Sequence, residues 1–417
     1  MTSRSLDKYL CSRPLPGPWT LAGTERGGFA AAVVIPALAE SGHLFGTLTS
    51  LAANPAEHLH RTLIVVVVNH RADAPEADKK DNARLLARLA AGEAPQSLQL
   101  GWVDAASPGS ELPAGEGVGL ARKIGFDLAL SHLDWQSKPF LASLDADTLV
   151  EPTYLAALSA HFAAAAAGGA VIPFRHRPAQ SAEEDAAIRR YELYLRGHVL
   201  GLSLAGSPYA FHTVGSALAC RAESYLRAGG MNRRRAGEDF YFLQQLAKTS
   251  GVAPLSGTLV HPSPRPSART PFGTGRSVAR QLAGEEDVLL APAAAYRRLG
   301  AWLALAAEHG DGDGASLLAR AARLDERLAD FLEEAGLVSV WERLRLQHRT
   351  PQRLLGAFHG WFDALKSYRL LQHLACKRPV EEALPELLSW AGFAGHRDPL
   401  VLLRDTQGRV ESRSLRL

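Results

Sequence analysis

Phe140-Leu-Ala-Ser-Leu-Asp-Ala-Asp-Thr-Leu-Val-Glu-Pro152 delivers two carboxylates, Asp145 and Asp147, directly after a short apolar run. Residues 141–144 are predicted to form a buried strand, so both carboxylates are expected just past its carboxyl end, where open α/β sheets bind ligands. Carboxylates this close repel each other unless a cation lies between them or one is protonated. Their oxygens suit Mg²⁺ or Mn²⁺ shared with substrate phosphates. The alternative is that one Asp caps the next helix and the other is a turn residue.

Strand and helix patterns alternate on both sides of this stretch. The predicted strands are 30–35, 61–68, 98–103, 141–144, 170–174, 215–220 and 258–261. The predicted helices are 43–53, 81–91, 119–133, 152–167, 182–204, 223–228 and 237–249. Apolar runs rich in β-branched residues, each followed by a helical segment, are typical of a parallel sheet with helices on both faces. The pattern therefore predicts an α/β fold.

The character of the chain changes at about residue 288. Strand patterns stop there, and helical segments rich in Ala, Leu and Arg follow; leucines in 315–334 recur at helical spacing. A chain of 417 residues also exceeds the usual size of one domain. We therefore predict an N-terminal extension (1–28), an α/β domain (29–285) and an all-helical C-terminal domain (286–417).

Composition excludes several classes of protein. The net charge is only +3, and no Lys/Arg-rich block is present, so nucleic acid is not an expected partner. The three cysteines are far apart and lack metal-site spacing, which favours a reducing compartment. The first residues lack the apolar core of a signal peptide. Because no run of about 18 apolar residues occurs, no transmembrane segment is expected, and a cytoplasmic location is predicted.

Several short motifs follow one another in a fixed order. They are 36–40, 69–73, 119–125, Asp145-Ala-Asp147, 215–221, Gly229-Gly230 and Gly237-Glu-Asp239. This ordered set resembles the family 2 nucleotide-sugar glycosyltransferases of the GT-A fold, over roughly residues 30–280. The resemblance implies a Rossmann-like, mixed but mostly parallel sheet flanked by helices. It also implies a nucleotide-diphosphate sugar as donor.

The resemblance assigns a role to each matching residue. The donor would contact Pro36, Ala37, Glu40, Asn69, Arg122, Lys123, Asp145, Ala146, Arg269 and Arg276. A divalent cation, Mn²⁺ or Mg²⁺, would be held by Asp147, with Asp145 and His261 as further ligands of this Asp-x-Asp site. The loop 265–276 could close over the diphosphate: its glycines permit hinge motion, and its arginines supply bidentate phosphate contacts.

Two positions depart from the family pattern. The family usually has an acidic residue near the position of Asn69, and it has Arg-Asn where this chain has Arg122 and Lys123. Contacts to the base and ribose at Asn69 are therefore less well defined, and Lys123 is interpreted as a direct contact to a phosphate.

The chemistry explains why such residues are needed. Cleavage of the sugar–phosphate bond releases a diphosphate with extra negative charge, which cations stabilise. The acceptor hydroxyl loses a proton as it attacks, so a carboxylate must serve as base. In the family this base is the Asp of a Glu-Asp pair, here Glu238 and Asp239. The alternative interpretation of Asp239 is an acidic residue that stabilises the start of a helix.

The sequence therefore predicts a metal-dependent, inverting glycosyltransferase with Asp239 as general base. The acceptor is left open as a glycan, a lipid-linked molecule or a small molecule, and an oligomer remains possible. The alternatives are a retaining transferase acting on a small phosphorylated acceptor and a sugar-phosphate nucleotidyltransferase. The latter would need a Gly-rich, Lys/Arg-bearing loop after the first strand, where residues 36–40 read Pro-Ala-Leu-Ala-Glu. A dehydrogenase is disfavoured because no Gly-x-Gly-x-x-Gly follows that strand.

Overall fold

The computed structural model describes residues 3–267, 269, 273–285, 287–310, 312–393, 395 and 398–413. Its first nine strands are β1 (Ala31–Ala37), β2 (Thr62–Asn69), β3 (Gln99–Ala105), β4 (Phe140–Ser143), β5 (Leu149–Val150), β6 (Gly169–Val171), β7 (Leu218–Arg221), β8 (Val252–Pro254) and β9 (Val260–His261). The first ten helices are α1 (Ser3–Ser12), α2 (Leu44–Ala52), α3 (Ala56–Leu59), α4 (Glu76–Ala90), α5 (Val118–Ala129), α6 (Tyr154–Ala164), α7 (Ala182–Leu204), α8 (Ala222–Arg227), α9 (Glu238–Ser250) and α10 (Thr274–Leu282). Two short 3₁₀ helices, Leu130–His132 and Trp135–Ser137, precede β4.

Seven of these strands form one mixed sheet, in the order β3-β2-β1-β4-β7-β6-β8. The pairs β1–β2, β2–β3, β1–β4 and β6–β8 are parallel, whereas β7 runs antiparallel to both β4 and β6. This confirms the mixed, mostly parallel sheet flanked by helices. The last predicted strand, 258–261, corresponds to β9, whereas β5 and β8 were not predicted, since strands of two or three residues are too short to show a periodic pattern.

The centre of the sheet is fully buried. Every residue of β1 and β2 is buried, as expected for Val-rich parallel strands covered on both faces. Helix α5 packs closely on these strands because Gly125 has no side chain. A Cβ atom at Gly125 would lie 2.4 Å from Val34 Cγ1 and 3.0 Å from Val67 Cγ2. The second glycine of the 119–125 motif therefore brings the helix that carries Arg122 onto the sheet.

The first residues of the chain pack onto this sheet structure. Trp19 is buried, and its Nε1 donates a hydrogen bond to the Ser110 carbonyl at 2.7 Å. The backbone of Ala22 forms an isolated antiparallel bridge with Trp102 in β3. Trp19 and Ala22, from the segment predicted as an extension, thus contact the α/β unit.

The chain divides into two compact units, Met1–Ser181 with Thr213–Arg276, and Ala182–His212 with Ser277–Leu417. The long helix α7 therefore groups with the C-terminal helices and not with the sheet. The domain boundaries predicted at 28/29 and 285/286 divide the chain into consecutive segments, whereas each compact unit combines two separate segments. The predicted boundaries stay a prediction.

The second unit is predominantly helical. Its further elements are β10 (Leu289–Leu290), α11 (Ala293–His309), α12 (Gly314–Leu324), α13 (Glu326–Glu334), α14 (Leu337–Gln347), α15 (Pro351–Trp361), α16 (Ala364–Leu374), β11 (Arg378–Pro379), α17 (Val380–Trp390), α18 (Pro399–Asp405) and α19 (Gln407–Arg413). Its core is built around the buried rings of Trp302, Trp341, Phe358 and Phe362. The short antiparallel pair β10–β11 is an addition to the predicted all-helical arrangement. None of the helices in the described part of the chain has the length and hydropathy needed to cross a bilayer.

Candidate active site

Polar side chains gather at the carboxyl edge of the parallel strands β1, β2 and β4. Glu40 follows β1, Asn69 ends β2, and Asp145 and Asp147 follow β4. Because these three strands are parallel neighbours, their carboxyl ends lie at one edge of the sheet. The structure thus brings the sequence motifs together where α/β sheets bind ligands.

Arg122 is the centre of the first group of charges. Its side chain is only 3% exposed, and Nε donates to Ser143 Oγ at 2.8 Å. The two terminal nitrogens donate to Asp145 and to Glu238. Glu238 is buried as well, whereas the Asp145 side chain is 38% exposed. Arg122 therefore fixes a carboxylate that a ligand can still reach.

Asp239 lies beside this group, in the first turn of α9. Gly237 precedes the helix with φ of 70°, a left-handed conformation that glycine adopts without steric cost. Asp239 is partly exposed, and its Oδ1 accepts a hydrogen bond from the Phe240 backbone N–H at 2.7 Å. Burial, followed by the negative charge of Glu238, raises the pKa of Asp239 to about 7, against the opposing effect of Arg122. Such a carboxylate can accept a proton near neutral pH.

A second group of charges joins Glu40 to Asp147. Arg265 donates from Nε to Asp147 Oδ2 at 2.8 Å and from another nitrogen to Glu40. Arg269 donates to Glu40 Oε1 and to the Leu38 carbonyl, both at 2.6 Å. Two carboxylates and two guanidinium groups therefore share one small region at the end of β1.

The turn that carries Glu40 is strained. Ala39 adopts φ of 52°, in the left-handed region that residues with a Cβ atom rarely occupy. Its N–H donates to Asn82 Oδ1 at 2.9 Å, and its carbonyl accepts from Arg269 at 3.3 Å. Backbone strain held in place by such bonds is concentrated at functional sites. The turn therefore supports a functional role for this edge of the sheet.

The three predicted metal ligands each have a different protein partner. Asp145 is bound by Arg122, Asp147 by Arg265, and His261 Nε2 lies 2.7 Å from Glu151 Oε1. Across the described residues, no group of three or more His, Cys, Asp or Glu side chains is arranged to hold a metal ion. In this arrangement Asp145, Asp147 and His261 are held by separate partners and do not form one three-ligand group, so their role as metal ligands stays a prediction. The positive charge next to Asp147 is the guanidinium of Arg265.

Other predicted donor contacts have local structural roles in this arrangement. Asn69 Nδ2 donates to the carbonyls of Ala37 at 3.2 Å and Val67 at 3.0 Å. The Ala146 carbonyl accepts from Thr47 Oγ1 at 2.8 Å. These bonds hold the strand ends and the Asp-x-Asp turn in place. Pro36 lies within β1, so its backbone is part of the strand.

Lys123 contacts a different set of residues from Arg122. Its Nζ lies 2.5 Å from Asp127 Oδ2 and 2.9 Å from the Tyr9 hydroxyl, and all three side chains are buried. Asp127 also accepts from Tyr225 at 2.7 Å. This network joins α1, α5 and α8. The interpretation of Lys123 as a phosphate contact stays a prediction that this geometry does not support.

The loop 265–276 is described only in part. Arg276 lies in α10 and is half-buried, and Ala268 and 270–272 fall outside the described residues. Sequence reasoning singled out Arg269 and Arg276 but gave Arg265 no individual role. It also missed Arg177, which donates to the Asp147 carbonyl at 2.8 Å, and Ser143. The available signal for Arg265 was its four-residue spacing from Arg269.

Known proteins are only distantly similar to this chain. No family model matches the chain, and no curated protein matches it. A crystal structure of S. aureus TarS 1–349 is 14% identical, with a TM-score of 0.35, over 56% of this chain and 60% of that one. The chain thus spans about three fifths of that TarS structure.

Two structures that contain a donor overlap more of the chain. S. aureus TarS 1–349 in complex with UDP-GlcNAc is 13% identical over 82% of this chain and 92% of that one, with a TM-score of 0.38. The mannosyltransferase PcManGT from Pyrobaculum calidifontis in complex with GDP-Man and Mn²⁺ is 16% identical over 99% of this chain and 92% of that one, with a TM-score of 0.37. Similarity at this level identifies neither the fold family nor the activity of this chain.

Proposed function

We propose that this protein is a nucleotide-sugar glycosyltransferase of the GT-A type, with its active site at the carboxyl edge of β1 and β4. The observation that carries the proposal is Asp239, a partly exposed carboxylate whose pKa is raised to about 7. It adjoins Glu238, which Arg122 ties to Asp145. A base that is half-ionised near neutral pH and a fixed cation are groups that inverting glycosyl transfer uses.

The donor diphosphate is assigned to the side of Asp147. Arg265 and Arg269 supply two guanidinium groups there, and guanidinium binds phosphate through paired hydrogen bonds. Their present partners, Glu40 and Asp147, are carboxylates. The anionic oxygens of a diphosphate can therefore take the place of the carboxylate oxygens at the two guanidinium groups. In this assignment Arg265 and Arg269 stabilise the leaving nucleoside diphosphate.

Asp239 is assigned to the acceptor. Its carboxylate takes the proton of the attacking hydroxyl, and attack from the face opposite the diphosphate inverts the anomeric centre. Arg122 is assigned a positioning role, because it holds Glu238 beside Asp239 and limits the rise of the Asp239 pKa. The acceptor class, whether a glycan, a lipid-linked molecule or a small molecule, is left open.

The dependence on a divalent cation rests on a competition for the Asp147 carboxylate. Asp147 is the residue that would hold Mn²⁺ or Mg²⁺, and its carboxylate is bonded to Arg265. A divalent cation and the Arg265 guanidinium therefore compete for the same oxygen atoms. When bound with a diphosphate, such an ion would add positive charge at the leaving group.

Two other activities make different products. A retaining transferase acting on a small phosphorylated acceptor would use the same donor and preserve the anomeric configuration. A sugar-phosphate nucleotidyltransferase would release pyrophosphate in place of a nucleoside diphosphate. The turn after β1 argues against the latter, because its residues 36–40 are Pro-Ala-Leu-Ala-Glu and contain no phosphate-binding glycine or lysine.

The proposal is tested by product analysis with the wild-type protein and the Asp239→Asn variant. Wild type is expected to release a nucleoside diphosphate from a nucleotide sugar and to give an inverted product by NMR. Asp239→Asn is expected to bind donor normally and lose most transfer, because the amide cannot accept the proton. Full transfer by Asp239→Asn would show that the base lies elsewhere, and pyrophosphate release would favour the nucleotidyltransferase.

A further inference from the structure

A cavity of about 600 Å³ lies at the opposite edge of the sheet from the candidate active site. Ala31, Thr62 and Phe140, the first residues of β1, β2 and β4, line it. The seven residues of β1 therefore separate the two edges, by about 20 Å at the usual rise per strand residue. The volume falls within the range of small-molecule sites. The mechanism proposed above makes no use of this cavity.

The lining of this cavity is rich in cations. Arg61, Lys138 and Arg221 contribute to it, together with His58. Glu223 is the single carboxylate among the lining residues, and it is ion-paired with Arg227 at 2.9 Å. The cavity therefore presents positive charge to whatever enters it, which favours an anion.

Aromatic rings form the apolar part of the same cavity. Phe162 is buried and stacks on Phe140, with their ring centroids 5.1 Å apart. The Arg221 guanidinium carbon lies 5.5 Å from the Phe162 centroid, and its Nη2 donates to the Ala165 carbonyl at 2.8 Å. Trp135 lines the cavity and is half-buried. A planar ring can pack against the half-buried Trp135 while an attached anion meets the cations.

Lys138 is held in a strained conformation at this cavity. Its φ of 55° and ψ of 61° place it in the left-handed region, directly after the 3₁₀ helix Trp135–Ser137. Glycine would adopt this conformation without the steric cost that lysine incurs. A lysine in this position lowers the stability of the folded protein and adds a cation to the cavity. Strain of this kind is concentrated at binding sites.

We propose that this cavity is a second ligand site, which binds a small organic phosphate with a planar ring. Lys138, Arg61 and Arg221 bind the phosphate group, and Trp135 packs against the ring. The proposal is independent of the glycosyltransferase assignment, because its residues lie at the other edge of the sheet.

The test uses phenyl phosphate as probe and isothermal titration calorimetry on the full chain. Wild type is expected to bind phenyl phosphate at one saturable site, with a change in Trp135 fluorescence that is absent from Trp135→Phe. Arg61→Ala is expected to weaken binding by about tenfold, the usual effect of losing one charged hydrogen bond. Phenol and inorganic phosphate, each lacking one half of the probe, are expected to bind more weakly.

Lys138→Gly separates binding from folding. It removes the cation and relieves the left-handed strain, so its melting temperature is expected to equal or exceed that of wild type while phenyl phosphate binding falls by about tenfold. If Lys138→Gly and Arg61→Ala both bind phenyl phosphate as tightly as wild type does, the proposal is overturned. An absence of saturable binding, or inorganic phosphate binding as tightly as phenyl phosphate, would also overturn it.

Discussion

Arg265 Nε donates a hydrogen bond to Asp147 Oδ2 at 2.8 Å, so the residue predicted to bind a metal ion is paired with an arginine. The same guanidinium also bonds to Glu40. A fixed positive charge thus lies where the sequence predicts a divalent cation. Arg265 and a divalent cation would therefore compete for the Asp147 carboxylate, and this competition would determine how the protein depends on the cation.

Replacing Arg265 by methionine is expected to increase the affinity of the free protein for Mn²⁺. The change leaves Asp147 without its Nε partner and Glu40 with Arg269 as its remaining arginine partner, so the site becomes more negative. Calorimetric titration with Mn²⁺ measures the effect, which we expect to be about tenfold or more. Arg71→Met is the matched control, because it removes the arginine of a surface pair with Asp73. Equal Mn²⁺ affinity in wild type and Arg265→Met would refute the competition.

The raised pKa of Asp239 predicts how activity depends on pH. Because the base must be ionised, kcat/KM is expected to rise with pH through an apparent pKa of about 7. If kcat/KM stays constant across this pH range, measured with a donor that saturates the protein, then ionisation of Asp239 does not limit the reaction.

The same shift predicts a stability effect of opposite sign. The folded protein binds the Asp239 proton more tightly than the unfolded chain does, so the contribution of this group to stability falls as pH rises from about 4 to about 7. Asp239→Asn removes this partly desolvated charge and is expected to raise the melting temperature at about pH 8. The difference from wild type should disappear near pH 4. A lower melting temperature for Asp239→Asn at the higher pH would contradict the assigned pKa direction.

Gly215 leaves space for Arg122. A Cβ atom at Gly215 would lie 2.5 Å from Arg122 Nη2, so Gly215→Ala must displace the guanidinium from Asp145 or Glu238. We expect a loss of about 1–3 kcal/mol in the free energy of unfolding and a marked loss of transfer. Gly46→Ala is the control, because nothing lies within 4 Å of its Cβ position and Gly46 is exposed in α2. Wild-type activity in Gly215→Ala would show that the Arg122 geometry is not needed.

The Lys123–Asp127 pair separates a structural role from a phosphate contact. Lys123→Met alone leaves the Asp127 charge buried and is expected to lower the free energy of unfolding by about 3–5 kcal/mol. The double variant Lys123→Met/Asp127→Asn removes both charges and keeps an acceptor for Tyr9 and Tyr225, so most of the stability should return. Its affinity for donor is expected to equal that of wild type. A large loss of donor affinity in this folded variant would restore the phosphate interpretation of Lys123.

Long, strongly patterned segments were predictable from the sequence. The valine run of β2 and the helix α7 at Ala182–Leu204 were both identified by their local pattern. Short strands such as β5, β8 and β10 lack enough residues to show a period. The grouping of α7 with the C-terminal helices depends on tertiary packing that no local pattern encodes.

The candidate site was predictable to a similar degree. The order of motifs correctly placed Glu40, Asp145 and Asp147 at one edge of the sheet, because parallel neighbouring strands end together. The pairing of Arg265 with Asp147 joins residues 118 positions apart through a loop with no periodic structure. Lys123 and Arg122 are adjacent in sequence but contact different partners, because successive residues point in different directions around a helix. The roles assigned to the site residues stay predictions until they are measured.

The central claim is that the edge containing Asp145 and Asp239 binds a nucleotide-diphosphate sugar. Calorimetric titration of wild type, Asp145→Ala and Glu381→Ala with UDP- and GDP-sugars, with and without Mn²⁺, tests this most directly; Glu381→Ala is the control because it removes the carboxylate of an exposed pair with Arg190. We expect wild type and Glu381→Ala to bind one class of donor equally and Asp145→Ala to bind it about tenfold or more weakly. Failure of every donor to bind wild type, or equal binding by Asp145→Ala, would contradict the account.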